Sequence, residues 1–127
     1  IWVVGQPPDK GEWNYPIDGK KARSSFQTLY TDGSQSILLV FIHSGRTHQI
    51  RRHAMKAGFP IFGDRRYGGI AGKLWERLAL HATFLQFTHP ATQKRESIVA
   101  PIPANLEDIF LDVSSEKLMN LLHLSSI

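Results

Sequence analysis

The sequence predicts an α+β fold in which a mainly antiparallel mixed sheet has helices packed on it. Runs rich in β-branched and aromatic residues outnumber the stretches with helical periodicity. These runs do not alternate regularly with helices, as they would in a doubly wound parallel sheet. The 127 residues amount to one domain, and the apolar fraction of 42% and charged fraction of 20% are typical of globular proteins.

The first predicted strands lie in the N-terminal third of the chain. Residues 1–5 are expected to form a strand and residues 6–21 a loop, because prolines and glycines interrupt the second stretch repeatedly. Residues 26–31 and 37–42 have the β-branched and aromatic side chains of strands. The Asp32-Gly33 turn signal between them predicts an antiparallel hairpin.

A helix is predicted next, over residues 47–57. The hydroxyl of Ser44 or of Thr47 can cap its N-terminus, and Gly58 is expected to end it. Its buried stripe is expected at positions spaced i, i+4 and i+7, which hold Ile50, Ala54 and Ala57.

The C-terminal half is predicted to contain a second hairpin and two further helices. After a compact loop over residues 59–67, a strand over residues 78–88 is expected to pair with one over residues 96–100. A short helix is expected to begin at Asn105. A last amphipathic helix is expected after Ser114 or Ser115, with an apolar face formed by Leu118, Leu121 and Leu122.

Composition excludes several classes of protein. The chain has no cysteine, so it has neither disulfides nor thiolate zinc sites. No apolar run approaches the ~20 residues that a membrane span requires. The chain begins with the strand-like Ile1-Trp2-Val3 rather than with Met or a signal pattern, and we therefore expect it to be a piece of a longer polypeptide.

Positive charge is concentrated in one window. Residues 45–66 hold six lysines or arginines and one acid, which gives +5 against a total of +4 for the whole chain. The rest of the chain is therefore close to neutral. A local basic patch of this kind is typical of phosphate binding, although a solvated helix face has the same composition.

The segment from Gly45 to His53 brings together the side chains with the most chemical potential. Guanidinium groups stay charged and offer a planar fork of donors that fits carboxylates and phosphates. His48, Arg51 and Arg52 stand at i, i+3 and i+4, so they can converge beside a helix N-terminus, which itself attracts anions. Spacing alone leaves two interpretations open: an anion site, or arginines that tie the helix to the sheet through local acids.

Other interpretations of the polar residues are weaker. His48 and His53 are five residues apart and do not share a helix face, so no metal site is predicted. A hydrolase site built from His43, Ser44 and Asp64 lacks the Gly-x-Ser-x-Gly elbow. Asp64 can also be read as a reactive acid among arginines, but the expected role is to accept backbone N–H groups within its own turn.

Four ordered motifs resemble the RluA-type RNA pseudouridine synthases. They are Gly-Arg-Thr-His-Gln-Ile-Arg at 45–51, Gly-Asp at 63–64 with Tyr-Gly at 67–68, Leu-His-Ala at 80–82 and Phe-Thr-His-Pro at 87–90. The resemblance implies that the chain is the C-terminal half of a pseudouridine synthase-like catalytic domain. Members of that family isomerise uridine in RNA without cofactor or metal. In that family the target nucleotide is flipped out, an aspartate acts at the ribose C1′, a tyrosine stacks on the base and a basic residue pairs with the aspartate.

The resemblance assigns roles to individual residues. Arg51 matches the catalytic basic residue that pairs with the aspartate. Leu80 and His81 match a strand that borders the site. The other positions of the first motif are expected to contact RNA, and two arginines after Asp64 are added on charge alone. The expected RNA-binding residues are Arg46, His48, Gln49, Arg52, His53, Arg65 and Arg66.

The family's His-Arg-Leu-Asp motif, which holds the nucleophile, and its base-stacking tyrosine do not occur in this sequence. Residues 1–127 are therefore expected to be a partial catalytic domain, inactive alone, from a cytoplasmic enzyme that acts on ribosomal or transfer RNA and binds no membrane. The alternative is a non-catalytic RNA-binding module. In a partial domain Arg51 would lack its acid, and apolar surface that packs against the missing half would be exposed. We therefore expect self-association or marginal stability.

Overall fold

The computed structural model describes residues 1–107, apart from the side chains of Asn105 and Glu107. The chain divides into two compact units, one over residues 1–80 and one that begins at His81. The predicted last amphipathic helix lies outside the described residues. No helix within residues 1–107 is long and apolar enough to cross a membrane.

The first unit is built on a four-stranded sheet. Its strands are β1 (Trp2–Val4), β2 (Lys10–Trp13), β3 (Ser24–Thr31) and β4 (Gln35–Ile42). They lie in the order β1-β4-β3-β2, and every neighbouring pair is antiparallel. The predicted α+β class and the predicted hairpin of β3 with β4 are thereby confirmed.

The turn of this hairpin is fastened by Asp32. Its Oδ1 accepts the backbone N–H groups of Ser34 and Gln35, each at 2.9 Å. These bonds stabilise the ionised carboxylate and lower the pKa of Asp32 to about 2. The Asp-Gly signal in the sequence thus acts through the side chain of the aspartate as well as through the glycine.

Strand β2 lies in a stretch that was predicted to be a loop, so that prediction is wrong. Its sequence has little intrinsic preference for a strand. It pairs with β3 because Gly11 lies opposite Phe26 and has no side chain to displace the ring. Trp13 is buried against the same ring, with the two centroids 4.7 Å apart. Packing, rather than local propensity, therefore forms this strand.

Helix α1 (Gln49–Lys56) follows β4 and lies within the predicted range. Gly58 ends it as expected, with φ at 89°. Its N-terminus differs from the prediction, because His48 occupies the cap position with φ at 53° and no side chain binds the first-turn N–H groups. The expected capping by Ser44 or Thr47 is therefore wrong.

The buried face of α1 is more polar than predicted. Of the expected stripe only Ala54 is fully buried, and the other buried residues are Gln49 and His53. Because α1 lies against β3, where Ser24 offers a buried hydroxyl group, two polar side chains can enter the interior with hydrogen bonds.

A long segment joins α1 to the second unit and lines the free edge of β1. Val3 forms an isolated antiparallel bridge with Ile61, and the Phe62 N–H donates to the carbonyl oxygen of Trp2 at 3.1 Å. A 3₁₀ helix over Gly69–Lys73 lies within this segment and was not predicted. The segment carries Asp64 to the side of α1.

The second unit contains the predicted C-terminal hairpin, formed by β5 (Phe84–Thr88) and β6 (Arg95–Val99). Its first strand begins later than residue 78, because the backbone of Ala79 accepts a hydrogen bond from Trp2 and donates one to Phe62. The short helix expected from Asn105 is α2 (Ala104–Glu107).

Candidate functional site

The centre of the candidate site is an ion pair between Arg51 on α1 and Asp64 in the following loop. Arg51 Nε donates to Oδ2 at 3.0 Å, and Nη2 donates to Oδ1 at 2.8 Å. Asp64 is 1% exposed, whereas the Arg51 side chain is 21% exposed. Two parallel bonds to a buried acid hold the guanidinium in one orientation. The expectation that Arg51 lacks an acidic partner is therefore wrong for this chain.

Asp64 is also fastened to its own loop. Its Oδ1 accepts the backbone N–H groups of Arg66 at 3.2 Å and Tyr67 at 3.0 Å, which is the structural role expected from the sequence. Gly63 before it has φ at 76°, and a Cβ there would overlap the carbonyl oxygen of Arg77. Only glycine at this position lets the chain deliver the carboxylate to Arg51.

The electrostatics of the pair favour two charged partners. Burial works to raise the pKa of Asp64, but the bonds from Arg51 and from backbone N–H groups outweigh it and hold the pKa below its ordinary value. The same bonds raise the pKa of Arg51. Asp64 uses the Nε–Nη2 edge of the guanidinium, and Nη1 donates no hydrogen bond to any residue in the described range. The Nη1 hydrogens and the second Nη2 hydrogen are therefore donors that no residue in the described range uses.

Tyr67 joins the arginines to the histidine that caps α1. Its ring centroid lies 5.0 Å from Cζ of Arg51 and 5.3 Å from Cζ of Arg66, which are cation–π distances. Its hydroxyl lies 3.0 Å from Nδ1 of His48. From the sequence, Tyr67 was named only as part of the second family motif and was assigned no role of its own. Its place in the Gly63–Gly68 motif was the signal that it belongs to this cluster.

Arg52 has an acidic partner that the sequence did not indicate. Its two terminal nitrogens donate to the Asp18 carboxylate at 3.2 and 2.9 Å. Asp18 lies in a two-residue turn with φ at 51°, so the strand-connecting loop reaches α1 across 34 positions of sequence. The Arg52 bonds lower the pKa of Asp18. The sequence left open whether the arginines form an anion site or tie the helix to other elements through acids. The second interpretation is correct for Arg52.

Gln49 and His53 are buried, at 4% and 0% exposure, and their polar atoms are bonded internally. The Gln49 amide donates to Arg23 O and Ser24 Oγ and accepts from Ser44 Oγ and the Arg46 N–H. His53 lies between Ser24 Oγ at 2.9 Å and the Tyr15 carbonyl oxygen at 2.7 Å, so Nε2 carries the proton. These contacts argue against the expected RNA contacts of both residues. They hold α1 on the sheet instead.

The other expected RNA-binding residues lie at the surface. Arg46 is exposed, with Nε donating to the Lys21 carbonyl oxygen at 2.9 Å. Arg65 and Arg66 are both exposed beside the Asp64 loop. The two residues expected to border the site lie at the division between the units, since Leu80 ends the first unit and His81 begins the second. Within the second unit, His81 Nε2 lies 3.2 Å from the Ala100 carbonyl oxygen.

Neither alternative chemistry finds its residues together. Within residues 1–107 no group of three His, Cys, Asp or Glu side chains is placed to hold a metal ion. Ser44 donates to Gln49 and Asp64 binds Arg51, so the hydrolase site considered with His43 is not formed. His43 instead lies 2.7 Å from Ser25 on the exposed side of the sheet.

Comparison with known proteins points to one family, although no protein-family model matches the chain. An uncharacterised RNA pseudouridine synthase of Chloroflexus aurantiacus is 38% identical over 120 residues, which cover 83% of this chain and 38% of the relative. The ribosomal large subunit pseudouridine synthase C of Vibrio cholerae is 37% identical over 115 residues, covering 83% and 36%. The chain thus spans little more than a third of the length of these relatives.

Solved structures agree on the fold. Human RNA pseudouridylate synthase domain containing 1 superposes with a TM-score of 0.72 at 22% identity, over 96% of this chain and 63% of that one. Human RNA pseudouridylate synthase domain containing 4 gives 0.69 at 20% identity, over 88% and 59%. Over most of its length the chain is therefore similar to one segment of the RNA pseudouridine synthases.

Proposed function

We propose that this chain is part of an RNA pseudouridine synthase and supplies the arginine that holds the catalytic aspartate of the whole enzyme. The anchoring of Arg51 carries this proposal. Asp64 fixes one edge of the guanidinium and leaves the Nη1 hydrogens and the second Nη2 hydrogen for a second acid. The proposed substrate is ribosomal or transfer RNA, and the name of one relative, which refers to the large ribosomal subunit, supports the first of these.

The proposed reaction needs neither cofactor nor metal. The bond from ribose C1′ to uracil N1 breaks, the base turns, and C1′ forms a bond to C5. N1 gains a proton and C5 loses one to solvent, so the product is an isomer of the substrate. The aspartate that acts at C1′ must be ionised, and a guanidinium beside it favours that form. Because Asp64 already orients Arg51, little reorganisation is needed when the aspartate meets it.

We propose that those residues of the Gly45–His53 motif and of the Asp64 loop that were expected to bind RNA and are not buried contact the RNA backbone, and that the enzyme acts in the cytoplasm. Gln49 and His53 are left out of this interface because both are buried. We also propose that Leu80 and His81 border the site, and this proposal rests on the family motif alone. The proposed RNA-binding residues are Arg46, His48, Arg52, Arg65 and Arg66.

Tritium release from RNA labelled at C5 of uridine tests the activity, since C5 loses its hydrogen when the new bond forms. We expect release by the full-length protein that contains this chain and none by residues 1–127 alone. Arg51→Met in the full-length protein should lower the rate by about a hundredfold or more. Arg23→Met is the matched control, because Arg23 also pairs with an acid, Glu12, but at an exposed place on the sheet.

Each outcome separates the candidates. RNA binding without tritium release by the full-length protein would favour the non-catalytic binding module. Release by residues 1–127 alone would show that no outside aspartate is needed. An Arg51→Met enzyme as active as the Arg23→Met control would remove Arg51 from the reaction.

A further inference from the structure

A cleft of about 410 Å³ opens beside the Asp64 loop and takes no part in the contacts described above. It is lined by Arg65, Lys73, Leu74, Trp75 and Glu76. The cleft is wide open to solvent, so a ligand there would be held against one side rather than enclosed. All five residues belong to the first unit, and Arg65 directly follows the acid that holds Arg51.

Two side chains of the cleft carry positive charge that no acid within residues 1–107 neutralises through an ion pair. Arg65 and Lys73 are exposed and form no ion pair within the described part of the chain, whereas Arg51 and Arg52 each bind an acid. Such cations favour an anionic ligand. Glu76 is the one acid among the lining residues, so an anionic group would lie on the Arg65 and Lys73 side.

The remaining surface of the cleft is apolar. Leu74 is 56% exposed, so its side chain offers apolar surface to a ligand. Trp75 is half-buried, with its ring edge-on to Trp2 at 5.3 Å, and its buried N–H has no hydrogen-bond partner among the described residues. An apolar surface next to cations fits a ligand that joins an anion to a flat ring. A nucleotide has this form when its base is not stacked in a duplex.

The two walls of the cleft are held at a fixed separation. Gly72 in the 3₁₀ helix lies so close to Asp64 that a Cβ would overlap the Asp64 carbonyl oxygen. The Gly68 N–H donates to the same oxygen at 2.8 Å, and the Gly63 N–H donates to Ala71 at 3.0 Å. A cleft built in this way need not be ordered by its ligand, which favours binding.

From the unneutralised cations, the exposed apolar wall and the fixed spacing, we infer that the cleft binds one unpaired nucleotide of the RNA, distinct from the uridine that reacts. Its phosphate lies against Arg65 and Lys73, and its base lies against Leu74 and Trp75. The inference rests on the proposed function, since both take RNA as the ligand. It adds that single-stranded RNA is required at a second position beside the Arg51 site.

Binding of a short fluorescein-labelled single-stranded RNA to the full chain, compared with the same strand annealed to its complement, tests the inference. Leu74→Ala should weaken binding of the single strand about fivefold and leave the duplex affinity unchanged. Lys73→Gln should lower the slope of log affinity against log salt by about 0.7 for the single strand. The matched controls are Leu85→Ala, at 58% exposure on β5, and Lys94→Gln, exposed in the β5–β6 turn.

The outcomes distinguish this inference from the proposed function. A wild-type chain that binds neither RNA would overturn the cleft site, whereas the proposed function is decided separately by tritium release from the full-length protein. Binding that Leu74→Ala and Lys73→Gln weaken no more than their controls do would overturn the cleft alone and leave the proposed function standing. Loss of self-association in Leu74→Ala with RNA affinity unchanged would assign the cleft to a second copy of the chain, which also overturns the inference.

Discussion

Asp64→Asn changes a single atom of the buried ion pair and shows what holds Arg51 in place. Asparagine keeps an oxygen at the Oδ1 position, where the N–H groups of Arg66 and Tyr67 and one Arg51 nitrogen meet. At the Oδ2 position it puts an NH2 group opposite Arg51 Nε, which donates there at 3.0 Å. Two donors would then face each other, and the guanidinium must turn away.

The magnitude follows from the burial of the two partners. Removing one member of a buried ion pair costs about 3–5 kcal/mol. Arg51 is 21% exposed and regains contact with water when the pair breaks, so the cost should lie at or below the lower end of that range. We expect Asp64→Asn to lower the free energy of unfolding by about 2–3 kcal/mol. Asp64→Ala should cost about 1 kcal/mol more, because two backbone N–H groups also lose their acceptor.

Urea unfolding of residues 1–127, followed by tryptophan fluorescence, measures this difference. Asp18→Asn is the matched control, since it breaks the pair with Arg52 at an exposed position and should leave the unfolding midpoint unchanged. Arg51→Met combined with Asp64→Asn should cost less than the sum of the two single changes. An Asp64→Asn midpoint equal to that of Asp18→Asn would refute the view that the pair orders this loop.

Three further predictions concern charge and association. The folded-state pKa of Asp64 lies below its ordinary value. Its contribution to stability is therefore present above about pH 4 and is lost as the pH falls through the folded pKa. In urea titrations, wild-type protein should lose more stability than Asp64→Asn between pH 5 and pH 3. Asp18→Asn frees Arg52 and should raise RNA affinity in anisotropy assays. The rise should be larger than that for Glu12→Gln, which changes net charge equally. The difference in RNA affinity between these two variants should vanish once Arg52 is also replaced by glutamine. In sedimentation, residues 1–127 should associate with rising concentration, whereas a monomer with a cooperative, high-temperature melt would argue against exposed apolar surface.

Elements with a local signal could be predicted from the sequence. The hairpin of β3 and β4 follows from runs of β-branched and aromatic residues on both sides of Asp32-Gly33, and α1 ends at Gly58 as expected. Strand β2 could not be predicted in the same way, because its stability comes from Trp13 packing on Phe26, which is distant in sequence. The N-terminus of α1 was missed because its cap is a left-handed histidine rather than a hydroxyl side chain.

The candidate site shows the same division. The family motif identified Arg51, but its partner lies 13 positions away and the partner of Arg52 lies 34 away, so neither ion pair follows from helical spacing. Gln49 and His53 belong to the motif and were expected to contact RNA. Motif membership does not separate residues that bind a ligand from residues that hold the motif in place, and only burial and hydrogen bonding do so here.

The two ion pairs also change how the basic window should be counted. The sequence gives a net charge of +5 for residues 45–66, but Asp18, from outside this window, forms an ion pair with Arg52. Asp64 lies on Arg51, whose remaining edge suits an acid of the protein in the proposed reaction. The charge available to RNA is therefore carried mainly by arginines outside both pairs. Two of these, Arg65 and Arg66, follow the acid that fixes Arg51, so one short loop both orients the proposed catalytic arginine and offers charge to the RNA.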